Sequence, residues 1–203
     1  MSMKRSSHSF ARWASIALLG LLPLLPVISI AGMTPEEVKL LEGYKVLPDP
    51  ENAKAQFILG FCYDNGRGIG QNEAEAVKWY RRSADQGYAP AQSSLGDCYL
   101  NGTGVAKNEV EAAKCYRKSA DQGFARAQGS LAFCYINGQG VPKDEIEAYA
   151  YWNLAQVTDE KARRNFSRLE EALSPEERLK GQQRTKEIQK EIEAKMAAKK
   201  AGK

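Results

Sequence analysis

Three stretches of this chain follow one another without a gap. Residues 53–88 read AKAQFILGFCYDNGRGIGQNEAEAVKWYRRSADQGY, and residues 89–124 read APAQSSLGDCYLNGTGVAKNEVEAAKCYRKSADQGF. Residues 125–160 read ARAQGSLAFCYINGQGVPKDEIEAYAYWNLAQVTDE. The first two are identical at 22 of 36 positions. A period of that length, held without insertion, predicts one supersecondary unit stacked three times. The first helix of the unit is read over Ala53–Asn65, where Ala55, Leu59, Cys62 and Tyr63 share one stripe. It stops at Asn65-Gly66, because glycine takes the left-handed conformation that closes a helix, and Gly68 turns the chain back. A second helix is predicted to start at Asn72, with Glu75 three residues on completing a capping box. Asn108 with Glu111, and Asp144 with Glu147, repeat the device. Gly87 and Gly123 end the second helices. Asp159 holds that place in the third unit, so the array is expected to end differently there.

A helical hairpin this small cannot bury its own apolar face, so the units are expected to stack and their outer faces to be covered. Residues 32–52 supply a cover at the front. Thr34-Pro35-Glu36-Glu37 is a helix start, Val38, Leu40 and Leu41 give it an apolar side, and Pro48 and Pro50 separate it from the array. Residues 161–203 supply the rear cover. A helix over about Glu160 to Leu173 carries Ala162, Phe166, Leu169 and Leu173 on one face, with Phe166 and Leu169 expected to cover the last unit. A further capping box, Ser174-Pro175-Glu176-Glu177, opens a final helix to about Lys195, and the last residues, AAKKAGK, are read as frayed.

The ends differ chemically from the middle. Residues 1–31 open with Lys4, Arg5 and Arg12 and no acid, continue as an apolar run from Ala14 to Ala31, and close on Ser29-Ile30-Ala31. Charge, apolar run and small-residue site in that order read as a secretory signal peptide, which places the chain in the periplasm or outside the cell. The alternative is an uncleaved anchor in the inner membrane, although Pro23 and Pro26 would kink a spanning helix. No comparable apolar run follows, so no membrane span is expected after cleavage. Residues 32–160 carry a net charge of −5 and residues 161–203 a net +6. An acidic body with a basic tail argues against a nucleic-acid binder, which needs a basic groove in its folded part. The only histidine is His8, inside the leader. Serine–histidine and cysteine–histidine pairs and histidine metal sites are therefore absent from the remainder, which closes the common routes to nucleophilic catalysis. No cofactor is expected.

The pattern A-x-A-Q-x-x-L-G-x-C-Y-x-N-G-x-G-V, followed by N-x-x-E-A-x-K-x-Y-R-x-S-A-D-Q-G, closely resembles the Sel1-like repeat, a relative of the tetratricopeptide repeat with a longer turn. The resemblance covers residues 53–160. It implies an all-α, right-handed superhelical solenoid of three helix-turn-helix repeats with capping helices at both ends. It also implies a non-catalytic scaffold or adaptor that binds protein partners. A disulfide-rich branch of that family is linked to penicillin binding and β-lactam hydrolysis, so a weak activity of that kind is the alternative. Against it, the chain has no Ser-x-x-K, the usual serine β-lactamase pair.

Variation between units marks the candidate partner site. One face of the first helix changes while its Leu, Tyr and Ala positions hold. Phe57, Phe61 and Asp64 occupy it in unit one, Ser93, Asp97 and Leu100 in unit two, and Gly129, Phe133 and Ile136 in unit three. In a superhelix of this kind the first helices line the concave side. Phe57, Phe61, Asp97, Leu100, Phe133 and Ile136 are accordingly the partner-binding candidates, with aromatic anchors typical of interaction hot spots. The competing reading packs Phe57 and Phe61 against the Val38–Leu41 helix. Cys62, Cys98 and Cys134 recur at a core position and read as free, buried small hydrophobes. Neighbouring first helices lie about 8–10 Å apart, whereas a disulfide needs Cα atoms within about 7 Å. The disulfide-rich branch pairs cysteines at places that here hold Gln92, Ser93, Ser119 and Ala120, which leaves Cys98–Cys115 as the one bridge to check. Four cysteines strung along a solenoid cannot converge on a metal. Trp79 and Trp152 read as core residues, and the basic tail (Lys195, Lys199, Lys200, Lys203) as a solvated end.

Overall fold

The computed structural model describes residues 34–43 and 51–202, and among them every regular element is a helix. The helices are α1 (Pro35–Gly43), α2 (Ala53–Asn65), α3 (Glu73–Asp85), α4 (Ala89–Asn101), α5 (Glu109–Ala120), α6 (Ala125–Asn137), α7 (Glu145–Ala155), α8 (Glu160–Ala172) and α9 (Pro175–Ala201). Pairs α2/α3, α4/α5 and α6/α7 are the three units, and each pair packs on the next. The proposed leader, residues 1–31, and Lys203 lie outside the described residues. Among those described, no helix is long and apolar enough to cross a membrane.

Gly66, Gly102 and Gly138 close the first helices in the left-handed conformation, each amide donating to a cysteine carbonyl one turn back. The capping boxes expected in the units are only half formed. Asn72, Asn108 and Asp144 do accept bonds from the first helical amides. Their own N–H groups, however, donate to the carbonyls of Tyr63, Tyr99 and Tyr135 at 2.8–3.1 Å and close the turn. With that donor taken, Glu75 and Glu111 pair with Lys78 and Lys114, and Glu147 with Arg184. The reciprocal box is complete only at Ser174–Glu177 among the boxes expected from sequence. At Thr34–Glu37 the same exchange opens α1.

Inside units one and two a glycine on the first helix lets a tyrosine of the second lie flat against it. A Cβ on Gly60 or Gly96 would come within 2.6 Å of the Tyr80 or Tyr116 ring. Unit three replaces both partners, with Ala132 and Trp152 at these places. Between units, Tyr99 and Tyr135 on first helices accept bonds from Arg81 and Arg117 on the preceding second helices. Tyr63 has no preceding unit. Its hydroxyl instead donates to Glu37 of α1 at 2.8 Å, and the Gly68 turn lies against Leu40 of the same helix. Helix α1 thus stands where a preceding unit's second helix would be, with Leu41 sealed in a cluster with Ala55, Leu59 and Trp79.

The rear cover is larger than the sequence implies. Asp159, in place of the glycine stop, caps α8 by accepting from the Lys161 and Ala162 amides. Ala162, Phe166, Leu169 and Leu173 are buried, with the Phe166 ring 4.8 Å from that of Tyr149. Helix α9 is 27 residues long, about 40 Å, and packs on α7 through Gly181, Arg184, Thr185, Ile188 and Ile192. It continues past Lys195 to Ala201, which corrects the expectation of a frayed end, while residues 193–202 remain exposed to solvent as expected. Lys195 pairs with Asp121 at 2.8 Å and Lys199 donates to Gln122 at 3.0 Å. The helix therefore holds contacts to unit two that a local reading of AAKKAGK could not anticipate.

No disulfide joins Cys62, Cys98, Cys115 and Cys134, of which Cys115 is half-buried and the others buried. The Cys98–Cys115 bridge is not formed. Burial pushes the Cys98 thiol up to about 12 and the Cys115 and Cys134 thiols to about 11. Trp79 and Trp152 are 5% exposed, as core residues.

Candidate functional site

Two cavities open along the first helices of successive units. The first, about 460 Å³, lies between α4, α6 and α8 and is lined by Asp97, Leu100, Arg126, Phe133, Trp152 and Lys161 among others. The second, about 240 Å³, lies between α2 and α4 and includes Phe61, Asp64, Tyr80 and Asp97. Asp97 and Arg126 line both, so the two form one groove across the array.

Local sequence explains the shape. Helix α8 comes up to α6 at Gly129, where an added Cβ would meet the Ala162 Cβ and an Asp159 carboxylate oxygen at an ordinary 3.7 Å. With Trp152 in place of the second-helix tyrosine in unit three, an indole lines this end of the groove beside the Tyr116 phenol. Phe133 is 44% exposed on the wall. The polar part is pre-arranged. The Tyr116 hydroxyl donates to Asp97 Oδ1 at 2.7 Å and Arg126 pairs with Asp97 Oδ2 at 2.6 Å. The Tyr80 hydroxyl reaches Asp64 at 3.3 Å. Burial, then the charge of the neighbouring aspartate, pushes both phenols above their ordinary range, so both remain donors.

Of the six candidates, Phe61, Asp97, Leu100 and Phe133 line the groove. Phe57 and Ile136 line neither cavity. Phe57 packs between Tyr80 and Tyr88, with ring centroids 5.8 and 5.5 Å away, and Ile136 is half-buried against the unit-three core. Gly129, at the place equivalent to Phe57 in unit three, lies against Ala162 of α8 and the Asp159 carboxylate. Neither Phe57 nor Phe61 belongs to the cluster around Leu41; both pack beside Tyr80 and Cys98. Arg126, Trp152, Lys161 and Asn165 belong to the groove but escaped the sequence reading: Arg126 stands one turn before Gly129 at a position that also varies, Trp152 is on a second helix, and Lys161 and Asn165 lie beyond the last unit. Among the described residues no group of three or more Cys, Asp, Glu or His converges as metal ligands would.

The fold and groove define a helical-hairpin repeat protein with a continuous surface along its first helices. The Sel1 repeat family matches residues 53–88, 89–124 and 125–155, and the chain belongs to that family. A Sel1 repeat protein from Oxalobacter formigenes is 34% identical in sequence, with a TM-score of 0.58 over 64% of this chain and 58% of its own. The protein c5321, a protective antigen present in uropathogenic Escherichia coli strains that displays an SLR fold, is 25% identical, with a TM-score of 0.59 over 83% of this chain. This chain spans 58% and 44% of those two proteins. Comparison with curated proteins returned no match. The solenoid of helix pairs expected from the resemblance is the architecture observed, and Sel1 repeat proteins generally act in protein–protein interaction.

Proposed function

We propose that this chain is a non-catalytic adaptor of the bacterial cell envelope that holds a partner protein in the groove along its first helices. The observation that carries the reading is the groove itself. Phe61, Leu100 and Phe133 come from three successive units and share one trough with the fixed polar pair Asp97–Arg126. An exposed aromatic beside pre-organised hydrogen-bonding groups is the composition of an interaction hot spot. The test is a photo-crosslinking amino acid at position 133, compared with one at Leu179, which is 67% exposed on α9. A discrete adduct from position 133 and none from position 179 is the expected result. Equal labelling from both, or from neither, overturns the groove as the partner site.

Export rests on the composition of residues 1–31. Chain recovered from a bacterial host is expected to begin at Gly32 and to leave with the periplasmic fraction. Full-length chain retained on membranes would favour the anchored form.

A further inference from the structure

Resting on the groove as partner site, we propose that the segment it holds is acidic, with one bulky apolar side chain. That side chain seats against Leu100, Phe133 and Trp152, and the flanking carboxylates meet Lys161 and Arg164. The argument is one of charge complementarity. The acids at this end are already engaged. Asp97 accepts from Tyr116 and Arg126, Asp159 is used in capping α8, and Glu160 pairs with Arg163 at 3.0 Å. Two cations are not. Lys161 lines the 460 Å³ cavity, and with Arg164 and Arg126 it lines the shallow opening beside it. Lys161 and Arg164 are exposed, lie one helical turn apart, and meet no acid among the described residues. Arg168 continues the same side of α8 a turn further on.

This basic rim departs from its surroundings, because residues 32–160 carry a net −5. The other end of the groove adds Asp64, whose carboxylate there accepts, among the described residues, only from the neutral phenol of Tyr80. A segment rich in Asp and Glu is therefore drawn to the α8 end and repelled from the rest of the body, and a basic segment is not.

The probes are four fluorescent peptides read by anisotropy against the full protein as exported by its host. One has a central leucine flanked by Asp and Glu. The second carries Asn and Gln at the flanks, the third carries Lys, and the fourth keeps the acids but has serine for leucine. The acidic leucine peptide is expected to bind about tenfold more tightly than the neutral one, and the other two more weakly still. The double variant Lys161→Glu, Arg164→Glu should weaken it about tenfold, the equivalent of about 1.4 kcal/mol, and leave the neutral peptide unchanged. Phe133→Asp should weaken both leucine peptides. All three positions are exposed, so the helical circular dichroism of the variants should match the parent. Equal binding of the peptides, preference for the basic one, no binding at all, or full affinity in the charge-reversed protein overturns the proposal. A crosslinked partner at position 133 without acidic preference removes the acidic inference alone. Absence of both removes the groove as well.

Discussion

Gly140→Ala should lower the thermal midpoint by about 10 °C, whereas Gly138→Ala, two residues away, should lower it by only a few degrees. Both glycines have a φ of 69°, so both substitutions carry the same left-handed backbone strain, about 1 kcal/mol. They differ in what surrounds them. A Cβ on Gly138 would find its nearest atom 3.7 Å away, on Lys143, an ordinary contact. A Cβ on Gly140 would drive into the Glu109 carbonyl and come within 2.8 Å of the Val110 amide. Those are backbone atoms at the start of α5 in the preceding unit, and they cannot swing aside. The alanine must push unit three away from unit two and open the seam between them. A further cost of about 2–3 kcal/mol follows for loss of packing of this kind. At about 2–4 °C per kcal/mol for a chain of this size, the two variants separate clearly in a melting experiment. Equal midpoints would show that the long turn does not seat the units. Gly104 lies on Glu73 of α3 in the same way and should repeat the result.

That contact also marks the boundary of what could be read from sequence. The helices of the units were legible because a repeat exposes its own construction. Cys62, Cys98 and Cys134 share a register, and the glycine closing each first helix recurs with them. The apolar face of α8 was legible too, since Ala162, Phe166, Leu169 and Leu173 keep helical spacing. Spacing gives a face and does not say what lies opposite it. Phe57 therefore read as a free anchor although Tyr80 and Tyr88 enclose it. The half-made capping boxes have a similar origin. Asn72 and Glu75 carry the right chemistry, but the amide that would complete the exchange is claimed by Tyr63, a partner no local window contains. In α9 only Gly181, Ile188 and Ile192 are buried, too sparse a set to place the helix across two units. Half of the groove was missed on the same grounds. Trp152 stands on a second helix, away from the face that varies along the first, and Lys161 and Arg164 stand on α8, beyond the last unit.

Raising the pH should unfold the protein between about pH 10 and pH 12, while stability holds nearly constant from neutrality to about pH 9. Burial pushes the Cys98 thiol from its ordinary 9.0 to about 12 and the Cys134 thiol to about 11. Tyr63 and Tyr151 are pushed to about 12, and Tyr80 and Tyr116 higher still. In each case burial comes first, because a thiolate or phenolate inside the array loses its water. A folded-state pKa raised above the unfolded value means that the folded chain keeps protons the unfolded chain has released. The stabilisation from these groups is complete below about pH 9 and is lost as the pH climbs through their folded values. Cys98 and Cys134, 5% and 0% exposed, together withdraw on the order of 5 kcal/mol by about pH 11. The four tyrosines act in the same direction above about pH 10. Set against a domain stability of about 5–15 kcal/mol, that loss is enough to melt the array. Circular dichroism followed against pH, with tyrosinate absorbance near 295 nm beside it, provides the check. The last part of the tyrosinate signal should appear with the loss of helix, since Tyr80 and Tyr116 ionise only once the units separate. Tyrosinate appearing to completion while the helices persist would show that these phenols are open to solvent, and would take the glycine–tyrosine packing of the units with it.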